Sequence, residues 1–87
     1  ALRHFRAARR LDPNYAAPYV GEAKALGRRE FLLGRADPDV GDAARPLVER
    51  ALELDPQLPD AYVARAALAR DPAAAERDLR RATELAP

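Results

Sequence analysis

Residues 44–56 read ARPLVERALELDP, and this stretch decides the fold we predict. Ala44 and Ala51 lie four residues before and three residues after Val48, so all three share one face of a helix. Small residues on both sides of a large apolar one let a neighbouring helix approach closely. The closing Asp-Pro stops the helix, because proline disfavours helical backbone in the residue before it. The stretch therefore predicts a helix that packs on a neighbour and ends at Leu54.

The same pattern occurs at both ends of the chain. It appears in residues 1–13, ALRHFRAARRLDP, and in residues 75–87, AERDLRRATELAP. Phe5 and Leu79 stand at the position of Val48, and each copy closes with a leucine and a proline. Three copies of one pattern indicate a repeated structural unit rather than three unrelated helices.

Two intervening segments match each other, at Tyr19-x-x-x-Ala23-x-x-Leu26 and Tyr62-x-x-x-Ala66-x-x-Ala69. Clusters of glycine and proline divide the chain into five segments, and β-branched residues are scarce. We therefore predict helices at about residues 1–11, 15–33, 43–54, 59–70 and 73–86. The unit is therefore a two-helix hairpin, and the fold class is all-α.

The order tyrosine, small, small, large apolar, small, proline resembles the tetratricopeptide repeat, a helix-turn-helix unit of about 34 residues. The resemblance covers nearly the whole chain and implies an α-solenoid of antiparallel hairpins, about two and a half units long. It divides the single domain, residues 1–87, into the second helix of a partial repeat (1–14), a complete repeat with a long inter-helix insertion (15–58) and a shortened repeat (59–87).

The chain departs from the family pattern in two ways. Pro13 and Pro56 are 43 residues apart and Pro56 and Pro87 are 31 apart, and the difference falls at the turn inside each hairpin. Glu22 and Arg65 stand where the family usually has leucine. We therefore expect an unusual core at these two positions.

The resemblance implies a protein or peptide partner, bound in a groove lined by the first helix of each hairpin. Helical positions predict as its lining Ala17, Val20, Lys24, Arg28, Asp60, Val63, Ala67 and Arg70. The repeat pattern assigns to packing between helices Phe5, Ala8, Tyr19, Ala23, Val48, Ala51, Tyr62, Ala66, Leu79 and Ala82. The alternative for the lining is a solvated helix face with no ligand. Val20 and Val63 replace the polar groups of the family's carboxylate clamp, so we do not expect that specialisation.

The extra residues of the long hairpin are a second candidate surface. Phe31, Leu32 and Leu33 could form a protruding lip that touches a partner. The interpretation that we favour is structural: Phe31 and Leu33 fold back on Val40 and Leu47. In that case Phe31→Ser lowers the free energy of unfolding by about 3 kcal/mol.

The sequence offers little for catalysis. His4 is the only histidine and there is no cysteine, so we expect no enzyme activity, no metal site and no cofactor. Asp37, Asp39 and Asp42 lack the spacing of a calcium loop, and we expect Asp42 to cap the start of the third helix. Gly34 suits the end of the second helix.

The arginines of the chain suggest a rival function, which is nucleic-acid binding. The residues that would contact it are Arg3, Arg6, Arg9, Arg10, Arg77, Arg80 and Arg81. A net charge of +1 and interleaved acidic residues disfavour it.

No stretch is apolar enough to cross a membrane. Without capping helices, Leu2, Phe5, Leu79 and Leu85 are expected to be partly exposed and to allow self-association. We interpret the chain as a module of a larger, bacterial-type protein whose compartment the sequence leaves open.

Overall fold

The computed structural model describes the backbone of residues 2–32 and 38–86, and the side chains of these residues outside 29–40. Over these ranges it has five helices: α1 (Leu2–Leu11), α2 (Ala17–Leu32), α3 (Pro38–Leu54), α4 (Pro59–Leu68) and α5 (Pro72–Leu85). The two stretches contain no strand, so the prediction of an all-α chain with five helices is confirmed for them. No helix in them is long and apolar enough to span a bilayer.

The helices pack as neighbours along the chain. α2 pairs with α3 and α4 pairs with α5, which gives two helical hairpins. α1 packs against α2, α3 packs against α4, and the first helices of the hairpins, α2 and α4, also contact each other. The direct contact of α2 with α4 gives these two helices one continuous surface.

The three copies of the sequence pattern end in the same backbone geometry. α1, α3 and α5 end at the predicted leucines, Leu11, Leu54 and Leu85. In each copy the next residue donates its backbone N–H to the carbonyl four residues earlier: Asp12 to Ala8 at 3.0 Å, Asp55 to Ala51 at 2.8 Å, and Ala86 to Ala82 at 3.0 Å. The repeated sequence therefore produces a repeated helix end.

A tyrosine anchors the first helix of each hairpin to the turn before it. The Tyr19 hydroxyl donates to the carbonyl of Pro13 at 2.8 Å, and the Tyr62 hydroxyl donates to the carbonyl of Pro56 at 2.6 Å. Each bond joins the first turns of a helix to the proline that ends the previous one. The direction in which the chain enters α2 and α4 is thereby fixed in the same way.

The core lies among α2, α3 and α4 and consists mainly of alanine. Its buried members are Ala16, Tyr19, Val20, Ala23, Ala44, Val48, Ala51, Ala61 and Ala64. Leu47, Leu52, Leu54, Leu58 and Leu68 pack around them while partly exposed. Ala51 and Ala61 are 0% exposed, so the helices approach closely along small side chains.

The start of α3 differs from the prediction. The helix begins at Pro38, not near residue 43, and Asp42 is therefore not its cap but an interior residue bonded to Arg45 at 2.8 Å. Pro38 fits the first helical position, where no N–H bond is needed. Pro46 lies inside α3 and is exposed, so the carbonyl that lacks its helical donor can bond water. The other helix ends lie within two residues of the predicted ones.

Several predictions for the long hairpin fall outside the described residues. These are the side-chain contacts of Phe31, Leu32 and Leu33 with a partner or with Val40, the helix end at Gly34 and the carboxylate of Asp37. They remain predictions. The backbone places Asp39 in the first turn of α3, not in a loop.

Candidate functional site

The candidate site is the surface shared by α2 and α4, which we call the α2–α4 face and define as Ala17, Lys24, Arg28, Asp60, Val63, Ala67 and Arg70. The Nζ atom of Lys24 lies 3.6 Å from the Oδ2 atom of Asp60, which joins the two helices across this face. Ala17 and Arg28 lie seven residues before and four residues after Lys24, and therefore on the same side of α2. Six of the seven residues lie on α2 or α4, whereas Arg70 follows the end of α4 at Leu68 and pairs with Asp42 of α3.

Exposure distinguishes the predicted lining residues. All members of the α2–α4 face are exposed, including apolar Val63 at 41%. Val20 is only 3% exposed and belongs to the core. Its side chain supports α2 from inside and leaves Val63 as the branched apolar group that a partner can reach.

The ion pairs on the α2–α4 face are long and solvated. Lys24 pairs with Asp60, and Arg70 pairs with Asp42 of α3, both at 3.6 Å and between exposed side chains. Exposed pairs of this kind contribute about 0–1 kcal/mol. Both cations can therefore exchange their present carboxylate for one supplied by a partner at little cost.

The residues assigned to helix packing are buried or partly buried, with one exception. Tyr19, Ala23, Val48, Ala51, Ala66 and Ala82 are buried, and Phe5, Ala8 and Tyr62 are partly buried. Leu79 is 48% exposed although its equivalent Val48 is 1% exposed. The difference places an uncovered apolar residue on the outer side of α5.

A buried carboxylate lies at the contact of α1 with α2. Glu22 is 3% exposed, and its Oε1 atom accepts from Arg6 Nε at 3.0 Å and from Arg9 Nη2 at 3.2 Å. Arg9 Nε lies against Oε2 as an ion pair without hydrogen-bond alignment. The Arg9 guanidinium also lies over the Tyr19 ring, 5.2 Å from its centroid. The two arginines compensate the loss of hydration of the carboxylate.

Arg65 joins three helices. From α4 it donates two bonds to Asp78 of α5, Nε to Oδ2 at 3.0 Å and Nη2 to Oδ1 at 2.8 Å. Its Nη1 atom lies 3.5 Å from Oε1 of Glu49 on α3, and the guanidinium lies over the Tyr62 ring at 5.5 Å. The hydrogen bonds to Asp78 raise the pKa of Arg65, so its guanidinium stays charged.

Each hairpin contacts the helix before it through an ion pair, and the two ion pairs have opposite polarity. Glu22 and Arg65 occupy equivalent positions, three residues after the tyrosine of each hairpin. Their partners on the preceding helix, Arg6 and Glu49, are also equivalent, since each follows the large apolar residue of the repeat pattern. An ion pair of opposite polarity therefore stands at each position where the resemblance led us to expect leucine.

These ion pairs were missed by the sequence analysis. Arg6 and Glu22 are 16 residues apart and lie on different helices, as do Glu49 and Arg65. Sequence patterns reveal charge pairs three or four residues apart on one helix. The available signal was the opposite charge at equivalent positions in both hairpins, matched by opposite charge on the preceding helices.

An open cleft of about 260 Å³ lies among α3, α4 and α5. The charged residues of its lining are Arg45, Glu49, Arg65, Arg77 and Asp78. Arg45 donates to the carbonyl of Leu68 at 2.9 Å and so caps the end of α4. Because Arg45 and Arg65 already bond to groups of the protein, we do not place partner binding in this cleft.

Candidate metal ligands do not gather in the described part of the chain. It contains no group of three or more histidine, cysteine, aspartate or glutamate side chains that could hold an ion. His4 is exposed on α1.

Comparison of the chain with known proteins gave no match. No protein-family model matches it, and neither a curated protein nor a solved structure does. The functional interpretation therefore rests on the residues and contacts of the chain itself.

Proposed function

We propose that the chain is a protein–protein interaction module, a scaffold or adaptor that binds a partner protein or peptide on the α2–α4 face. The observation that carries this proposal is the exposure of Val63 on α4. One turn before it on the same helix, the Asp60 carboxylate lies 3.6 Å from the Lys24 ammonium and so pairs with it only weakly. An apolar group beside weakly held charges can bury a side chain of a partner and orient it by charge.

We further propose that the hairpins form an α-solenoid of the tetratricopeptide type. Three features support this. The first helices α2 and α4 contact each other, each also contacts the second helix before it, and the tyrosine anchors recur in both hairpins. In such a stack the first helices line one side, which is the side on which the α2–α4 face lies.

The pairing of the arginines favours a protein partner over nucleic acid. Four of the seven arginines in the nucleic-acid alternative bond carboxylates: Arg6 and Arg9 with Glu22, Arg80 with Glu76, and Arg81 with Glu84. Phosphates would have to compete with these carboxylates, and for Glu22 they would leave a buried charge unpaired. A purely structural or self-associating role remains the other alternative.

Peptide selection tests the proposal. Peptides would be selected from an unbiased display library against the purified chain, and their affinities measured for Val63→Arg and for the matched control Leu11→Arg, which alters an apolar residue 88% exposed on α1. We expect Val63→Arg to weaken binding about tenfold and the control to change it less than about twofold. Peptides that ignore Val63→Arg and respond to Leu11→Arg would contradict the assignment of the α2–α4 face.

A further inference from the structure

An open pocket of about 450 Å³ lies where the end of α1 meets the start of α2. Three arginines of α1 line it, and its lining within the described part of the chain contains no acidic residue. α1 itself has no aspartate or glutamate. We call this place the arginine pocket and define it as Arg6, Arg9, Arg10, Pro13 and Tyr19.

The arginine pocket carries more positive charge than the fold needs. Arg6 and Arg9 neutralise one carboxylate, that of Glu22. Arg10 is exposed and has no ion pair among the described residues. Three positive charges against one negative charge leave an excess of two. Because like charges three or four residues apart destabilise a helix, this excess is unfavourable unless an anion offsets it.

The three arginines keep N–H donors for such an anion. A guanidinium has five donors, and Arg6 gives only its Nε–H to Glu22, at 3.0 Å. Arg9 is held in place by Glu22 and by the Tyr19 ring, whose centroid lies 5.2 Å from its guanidinium carbon. An oxyanion can therefore bind the Nη groups of Arg6 and the guanidinium of Arg10 while Glu22 stays paired.

The pocket is not open merely because it lies on the first helix. The equivalent place in the second hairpin has helices on both sides, since α3 contacts α2 and α4, and α4 also contacts α5. Its residues Glu49, Glu53 and Pro56 are nevertheless exposed. Glu49 and Glu53 stand there in place of Arg6 and Arg10. Helix stacking thus leaves this place open, and the arginines are not part of the repeat pattern.

We propose that the arginine pocket binds the phosphate of a phosphorylated side chain on a partner polypeptide. A phosphate monoester carries nearly two negative charges at neutral pH, which match the excess, and its oxygens suit the forked donors of arginine. A nucleotide fits less well. The one aromatic ring of the pocket, Tyr19, is 8% exposed and lies under the Arg9 guanidinium, so no aromatic surface is left for a base to stack on.

The first probe is phosphoserine with its amino group acetylated and its carboxyl group amidated. NMR titration of the ¹⁵N-labelled chain at constant ionic strength should show saturable shifts of the Nε–H signals of Arg6 and Arg9, and none with the unphosphorylated serine derivative. We expect Arg10→Gln to weaken binding about tenfold. Arg3→Gln, the same charge change at an exposed α1 residue outside the pocket, should change it less than about twofold. No saturable binding, or equal loss in both variants, overturns the proposal.

Further probes identify the carrier of the phosphate. Peptides selected from a library with a fixed central phosphoserine should bind about tenfold tighter than the single phosphoserine derivative, through contacts of the neighbouring residues with Pro13, which is exposed. Inorganic phosphate that binds as tightly as these peptides would overturn the assignment to a polypeptide. An oligothymidylate that binds more tightly than they do, with the same loss in Arg10→Gln, would overturn it in favour of nucleic acid.

The outcome is independent of the proposed function. Val63→Arg should leave binding of the phosphoserine derivative unchanged, because Val63 lies on α4 and outside the arginine pocket. Loss of the unphosphorylated selected peptides with this variant, together with an intact response to Arg10→Gln, separates the arginine pocket from the α2–α4 face.

Discussion

Gly21 and Gly27 lie on the same helix, and their replacement by alanine should have opposite effects. A Cβ atom at Gly21 would overlap Cε1 of Phe5 and lie 2.5 Å from Cδ1 and 2.6 Å from Cζ, whereas one at Gly27 meets nothing within 4 Å. Alanine gains about 0.5–1 kcal/mol over glycine inside a helix. Displacement of a packed ring costs about 1–3 kcal/mol. We therefore expect Gly27→Ala to stabilise the chain and Gly21→Ala to destabilise it by about 1 kcal/mol.

Thermal unfolding followed by circular dichroism measures this difference. A gap of about 2 kcal/mol between the variants corresponds to roughly 10 °C in Tm for a domain of this size. In a Phe5→Ala background the penalty at Gly21 should vanish, because the overlapping ring is gone. Equal stabilisation by Gly21→Ala and Gly27→Ala in the unaltered background would refute the close contact of α1 with α2.

Three further substitutions test the polar contacts by chemical denaturation. Glu22→Gln should cost about 1–2 kcal/mol because buried charged hydrogen bonds are lost, and Glu53→Gln on the surface less than about 0.5 kcal/mol; equal costs would contradict a structural role for the buried carboxylate. Arg65→Lys should cost about 1 kcal/mol, because an ammonium cannot form the forked pair with the α5 carboxylate; full retention of stability would count against that pair. Tyr62→Phe should cost about 1 kcal/mol through its lost hydroxyl bond, whereas Tyr15→Phe, at a residue 58% exposed, should cost almost nothing.

The C-terminal ends of α1 and α3 followed from the sequence because three independent signals agree there. Leucine, a turn residue and proline coincide after α1 and α3, and the structure ends both helices there. The start of α3 could not be placed in the same way. Pro38 reads equally as a turn residue and as a first helical residue.

The candidate site was partly predictable. Helical spacing placed Lys24 and Asp60 on one face, and they lie 3.6 Å apart. The same spacing counted Val20 as surface, because spacing alone does not show how closely a neighbouring helix covers a position. The charges of Glu22 and Arg65 read as departures from a hydrophobic pattern, although each is neutralised by a partner on another helix. Such pairing depends on tertiary packing, which no local pattern contains.

Because the core is rich in alanine, the ion pairs between helices are important for the specificity of helix packing. Val48 is the largest fully buried side chain described, so apolar burial between helices is modest. Charges of opposite polarity at the two contacts add specificity, since a helix carrying Glu22 would meet Glu49 if it docked on α3 in place of α4. The order of the hairpins is thus favoured by charge as well as by chain connection.

The most direct test of the proposed function is chemical-shift mapping of the ¹⁵N-labelled chain with the tightest selected peptide. If the α2–α4 face binds the partner, the largest shifts should occur at Lys24, Val63 and Ala67, and Arg10 on α1 should stay unchanged. Shifts confined to α1 or to the outer face of α5, with Lys24 and Val63 unaffected, would contradict the account.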